Sequence, residues 1–106
     1  MDRVAQIIDF LKRTPGDDFL QHALALEYIK QGDDVSARVL FEEVLTRNPG
    51  YVASYYHLAA LLVRMGDTGP AFEWYEKGMA AAKAAGETEK RAYNELKGAY
   101  EALKED

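Results

Sequence analysis

Two histidines, His22 and His57, and three acidic pairs, Asp17-Asp18, Asp33-Asp34 and Glu42-Glu43, are the side chains best suited to proton transfer or metal binding. A metal site needs several such ligands converging, and short helical spacings usually announce it. Asp18 lies four residues before His22, but one carboxylate is not a ligand set, and His57 has none at such a spacing. The chain has no cysteine, so it has no disulfide and no thiol-based metal or redox site. No glycine-rich phosphate loop follows a strand. The acidic pairs fall at helix starts or on polar faces, where capping and the helix dipole account for the aspartates. The residues point away from chemistry. No catalytic, metal-binding or cofactor-binding residue is expected, and no enzyme.

Composition narrows the class further. The chain has 106 residues, 48% of them apolar, enough for one small domain with a modest core. The net charge is −5 and there is no long basic run, so nucleic acid is not an expected partner. The first residues, MDRVAQIIDFLKRTP, mix charges among apolar side chains and do not read as a signal peptide. No segment approaches the roughly 18 apolar residues of a membrane span. A soluble, cytoplasmic domain is expected, with no membrane partner.

The elements that must position these residues are helices. Val4, Ile7, Ile8 and Leu11 share one helical face, as do Leu20, Leu24 and Tyr28, and then Ala37, Leu40, Phe41 and Val44. Pro15 and Pro49 each end one helix and precede another. Gly32 and Gly66 can take the left-handed conformation that closes a helix. Asp33 and Asp67 then stand where a carboxylate caps the next helix, and Pro70 falls in a first turn that tolerates it. The spacing predicts about six helices, at 2–14, 17–31, 34–47, 51–65, 68–85 and 87–104. Short connections make neighbours antiparallel.

The turns recur. Pro15-Gly16 returns 34 residues later as Pro49-Gly50, and Gly32-Asp33 returns as Gly66-Asp67. Leu24-Ala25 pairs with Leu58-Ala59 at the same interval, Ala37 with Ala71, and Phe41 with Tyr75. Small residues at Ala25 and Ala59 let two helices approach, with Ala37 and Ala71 on the helices that meet them. The unit is a helical hairpin whose apolar faces need neighbouring hairpins.

With this pattern the chain resembles the tetratricopeptide repeat (TPR) family, of the small bacterial type. In residues 18–51 the resemblance rests on Leu24, Ala25, Tyr28, Gly32-Asp33, Ala37, Phe41, Leu45 and Pro49. In residues 52–85 it rests on Tyr55, Leu58, Ala59, Gly66-Asp67, Ala71, Tyr75 and Met79. Gln21 stands where the first unit's opening aromatic belongs. Leu62 replaces the second unit's Tyr, and Lys83 its closing Pro, which lets the fifth helix run on. Residues 2–14 resemble the second helix of a half-repeat, with Ile7 in the aromatic's place. Tyr93, Leu96 and Tyr100 repeat Tyr55, Leu58 and Leu62 after 38 residues, so 87–104 resembles a first helix acting as a cap, with Lys97 where the small residue belongs. The resemblance implies a single all-α domain over 1–106, its antiparallel hairpins stacked as a short right-handed superhelix.

The family resemblance implies protein binding rather than catalysis. The first helix of each unit would line a concave face carrying Phe19, His22, Leu26, Ile29 and Lys30, then Ala53, Tyr56, His57, Ala60, Val63 and Arg64. Such a face, apolar with a basic edge, suits a peptide segment of a partner protein. The competing expectation is that the last helix folds over the face and hides it. One branch of the family grips C-terminal carboxylates with Lys and Asn on these helices. The corresponding positions here are His22, Leu26 and His57, so that clamp is not reproduced. His22 has two readings, a pH-dependent contact or an incidental, partly exposed histidine. The scaffold itself has an alternative, a self-associating protein joined through its end faces. Against a homodimer, the half-repeat and the cap favour a closed monomer.

Overall fold

The computed structural model describes residues 2–105. Its helices are α1 (Arg3–Arg13), α2 (Asp18–Lys30), α3 (Asp34–Arg47), α4 (Ala53–Arg64), α5 (Thr68–Ala85) and α6 (Lys90–Glu105), with a 3₁₀ turn at Gly86–Glu89. No strand occurs among the described residues. The α-helical part of the last helix therefore starts three residues later than its spacing predicts. Gly86, with φ near 80°, leaves α5 by a single 3₁₀ turn.

Capping sets most of the starts. The carboxylates of Asp2, Asp17 and Asp33 accept from the backbone N–H groups of Ala5, Leu20 and Ser36, at 2.9, 2.9 and 3.1 Å. Asp67 does not cap α5, and that expectation is corrected. Its target would be the third helical N–H, and residue 70 is a proline with none. The Asp67 carboxylate instead accepts from Arg38 Nη1 at 2.8 Å. The two hairpin turns are otherwise alike, with Gly32 and Gly66 at φ 80° and 84°.

Each helix packs on its sequence neighbours, and α6 also reaches α4. The result is an elongated stack of 42 × 30 × 20 Å. Ala25, Ala37, Ala59 and Ala71 are fully buried at the crossings. Phe41 and Tyr75 fill the space beside them, 0% and 4% exposed. Burying a large apolar side chain of this kind contributes about 1.5–3 kcal/mol. Gly78 marks a close approach of α5 to α4. A Cβ there would lie 2.7 Å from Tyr55 Cβ and 3.1 Å from Leu96 Cδ1.

The departure at Gln21 is also explained. Tyr55 donates its hydroxyl proton to the carbonyl of Pro49, six residues earlier. Gln21 Nε2 donates to the carbonyl of Pro15, also six residues earlier, at 3.0 Å. Its Oε1 accepts from Arg47 Nη2 at 2.9 Å. An amide thus does the hydrogen-bonding work of the phenol, tying the start of α2 to the preceding Pro-Gly turn.

Candidate protein-interaction face

The first helices of the two units, α2 and α4, meet through a small buried polar cluster. His22 Nδ1 lies 2.8 Å from Ser54 Oγ. The His57 ring stands edge-on to His22 at 5.4 Å between centroids, with Phe41 and Tyr51 at 5.5 and 5.7 Å. Ser54 is fully buried and His22 is 9% exposed. The expectation of a partly exposed His22 is therefore corrected. It faces α4 rather than solvent, because Ser54 is small enough to admit the ring. Burial, and then the neighbouring His57, push His22 down to about 4. Burial lowers His57 as well. A neutral imidazole donates from one nitrogen and accepts at the other, and both roles suit a serine hydroxyl.

The other expected face residues divide into two groups. Phe19, Tyr56 and Val63 remain exposed, at 68, 40 and 37%. Leu26 and Ile29 are half-buried and pack against the core. Lys30 and Arg64 are exposed, but each has a carboxylate partner. Lys30 Nζ lies 3.1 Å from Glu27, which also meets Arg3 at 3.3 Å. Arg64 Nη2 lies 3.1 Å from Asp34. The basic edge is thus largely neutralised within the molecule.

A groove runs between α4 and α6. At one end is a cavity of about 440 Å³, lined by Val52, Ala53, Tyr56 and His57 on one side and Ala92 and Leu96 on the other. Glu89, Arg91 and Glu95 also line it. A second hollow of about 270 Å³ lies between Ala60 and Val63 of α4 and Ala99, Ala102 and Leu103 of α6. The Tyr56 ring, which borders the first, sits edge-on at 6.4 Å to Tyr75, which borders the second. Sequence reasoning treated the last helix as a cap and missed Arg91, Ala92 and Glu95. The signal was available, since Tyr93, Leu96 and Tyr100 follow the spacing of a first helix, and first helices line this face.

Among the described residues no group of three or more His, Cys, Asp and Glu side chains is placed to hold a metal ion. No described helix is long and apolar enough to cross a membrane.

This architecture matches the crystal structure of a tetratricopeptide repeat domain protein from Salinibacter ruber. The TM-score is 0.78, with 34% identity, covering 83% of this chain and 96% of that one. The chain belongs to the tetratricopeptide repeat family. A solution structure of a TPR domain protein from the same organism matches at TM-score 0.78 and 35% identity, over 84% of this chain and 88% of that one. A solution structure of a protein from Bordetella parapertussis shares the fold at TM-score 0.83 and 21% identity, over 99% and 90%. No protein-family model and no curated protein matches the chain. Stacked TPR hairpins form extended concave surfaces, and the fold is a protein-interaction architecture.

Proposed function

We propose that this TPR protein is a non-catalytic scaffold of the cytoplasm that holds a peptide segment of a partner protein. Its units are a half-repeat at 2–14, repeats at 18–51 and 52–85, and a closing helix. The peptide lies along α2, α4 and α6. Phe19, Leu26, Ile29, Tyr56 and Val63 supply apolar contacts, with Lys30, His57 and Arg64 at their margins. His22 supports the face from beneath.

One observation carries this reading: the groove between α4 and α6 stays open beside exposed Tyr56 and holds a cavity of about 440 Å³. That volume takes one large apolar side chain with room around it. Glu89, Arg91 and Glu95 nearby offer both signs of charge to the flanking peptide backbone and side chains. Peptides that dock by apolar anchors in a groove follow this scheme.

The test is selection from a displayed peptide library, using wild type and the variant Ala53→Arg with Ala92→Glu, which fills the cavity from both walls. Peptides selected by wild type are expected to lose at least tenfold in affinity for the variant. They are expected to keep their affinity for Glu43→Lys, an exposed site on α3 that does not line the groove. Equal binding by the groove variant overturns the reading.

A further inference from the structure

The groove between α4 and α6 repeats along its length. On α4 the first hollow is lined by Ala53 and Tyr56, and the second by Ala60 and Val63, each seven residues on. On α6 the linings are Ala92, Glu95 and Leu96, then Ala99, Ala102 and Leu103, again seven residues on. The two walls advance together, so α4 and α6 run in the same direction along the groove. Seven residues of helix make two turns, about 10.5 Å.

Holes that recur at this interval between two parallel helices are what a third helix fills, one side chain from every second turn in each hole. A helix presents residues i and i+7 on one face, about 10.5 Å apart. An extended strand returns to one face after about 6.6 or 13 Å and misses the second hole. The alanines in both walls let a helix backbone come close. The seam between α2 and α4 is different, because the rings of His22, Tyr51 and His57 pack there.

Size and charge set the sense of the occupant. The first hollow, about 440 Å³, is larger than the second, about 270 Å³, so the bulkier anchor belongs in the first. There Arg91 and Glu95 pair with each other at 3.3 Å. Glu89, in the 3₁₀ turn beside them, has no ion-pair partner among the described residues. Its carboxylate is left to meet a cation. The lining of the second hollow carries no charged side chain.

We infer that the partner segment is an amphipathic α-helix lying in the seam between α4 and α6. It sets a bulky apolar residue at i in the larger hollow, a second apolar residue at i+7 in the smaller, and a lysine or arginine beside the first to meet Glu89. This rests on the groove reading and specifies the conformation and register of its occupant.

The experiment is selection from two displayed libraries of peptides about 18 residues long, enough to form a helix. The helical library fixes Phe at i and Leu at i+7 in a helix-forming background. The extended library places the same two anchors at strand and polyproline spacings in a background broken by proline. Peptides that lose about tenfold or more in affinity on Ala53→Arg with Ala92→Glu count as groove binders. They are expected from the helical library alone, with Lys or Arg enriched beside the Phe. For these peptides Ala102→Arg, at an exposed position of the second hollow, is expected to weaken binding as much as replacing the peptide's Leu by Ala. The two changes together are expected to do no more than either, as for groups in one contact. Glu89→Lys is expected to turn the enriched basic residue into an acidic one, and helical binders with no basic preference overturn the Glu89 contact. Groove binders of equal affinity from the extended library overturn the helical occupant and leave the groove reading standing, and so do helical binders indifferent to Ala102→Arg. No groove binder from either library overturns both.

Discussion

His22 and Ser54 are the polar link between the first helices of the two repeats, Nδ1 to Oγ at 2.8 Å, and both are buried. The rings of Phe41, Tyr51 and His57 stand around His22, and His57 is a second imidazole beside it.

That link makes the stack sensitive to acid. His22 in the folded protein is held at about 4 against an ordinary 6.5. In the interval between these values the unfolded chain binds more protons than the folded one, so stability falls as pH falls. The His22 contribution is complete above about 6.5 and gone below about 4. Asp18 and Asp33, lowered by their hydrogen bonds, lose their contributions only below the ordinary carboxylate value of 3.8. The melting temperature is expected to drop between pH 6.5 and 4, and His22→Asn is expected to flatten that drop. A wild-type profile level across this window rejects the account.

Ser54→Ala tests the same contact at neutral pH. It removes the partner and leaves a buried ring nitrogen unsatisfied, a loss of about 1–3 kcal/mol. Urea denaturation measures it. By contrast Gly98→Ala on α6, at an exposed glycine where no atom lies within 4 Å of the new methyl, is expected to be neutral or to stabilise by up to about 1 kcal/mol.

Gly78→Ala is expected to go the other way. Alanine favours a helix by about 1 kcal/mol over glycine. Here its methyl would press on Tyr55 Cβ, an atom fixed to the backbone of α4. The helices must separate, and overpacking of this kind costs about 1–3 kcal/mol. A lower denaturation midpoint is the expected result, and a higher one removes the tight-crossing argument.

Ala25→Trp and Ala59→Trp carry that argument to the main crossings. Both sites are fully buried, and the added ring has no space to enter. Loss of the cooperative melting transition is expected for each. Unchanged melting would show that the 34-residue register misplaces the crossings.

Much of this fold was legible because glycine, proline and aspartate punctuate it on a fixed period. The four alanines and the two aromatics at the crossings then followed from helical spacing. Two features were hidden by residue type. Gln21 breaks the family's aromatic pattern but makes the hydrogen bond that Tyr55 makes, which depends on reach and not on side-chain class. His22 lies on the expected groove stripe, but its burial depends on the small Ser54 across the interface, and no spacing rule within α2 reports that. Gly78 was overlooked although it gave a signal. A glycine inside a helix needs a packing reason, and Tyr55 is that reason. For the site, the α4 side of the groove was visible in the sequence. The α6 side was overlooked although Tyr93, Leu96 and Tyr100 carry the spacing of a first helix, because a helix rich in charge reads as a cap.

The exchange at Pro70 reaches into how the two hairpins come together. Asp33 closes its own turn through Ser36, a bond that needs nothing beyond four consecutive residues. Asp67 has lost that option and reaches back to Arg38 on the previous repeat. A fragment spanning 18–51 thus carries its own side-chain closure, whereas one spanning 52–85 keeps the backbone bond from Asp67 N–H to Leu62 but leaves the Asp67 carboxylate without Arg38. Two turns with nearly the same backbone obey different rules of assembly: the first is autonomous, and the second is completed by its neighbour.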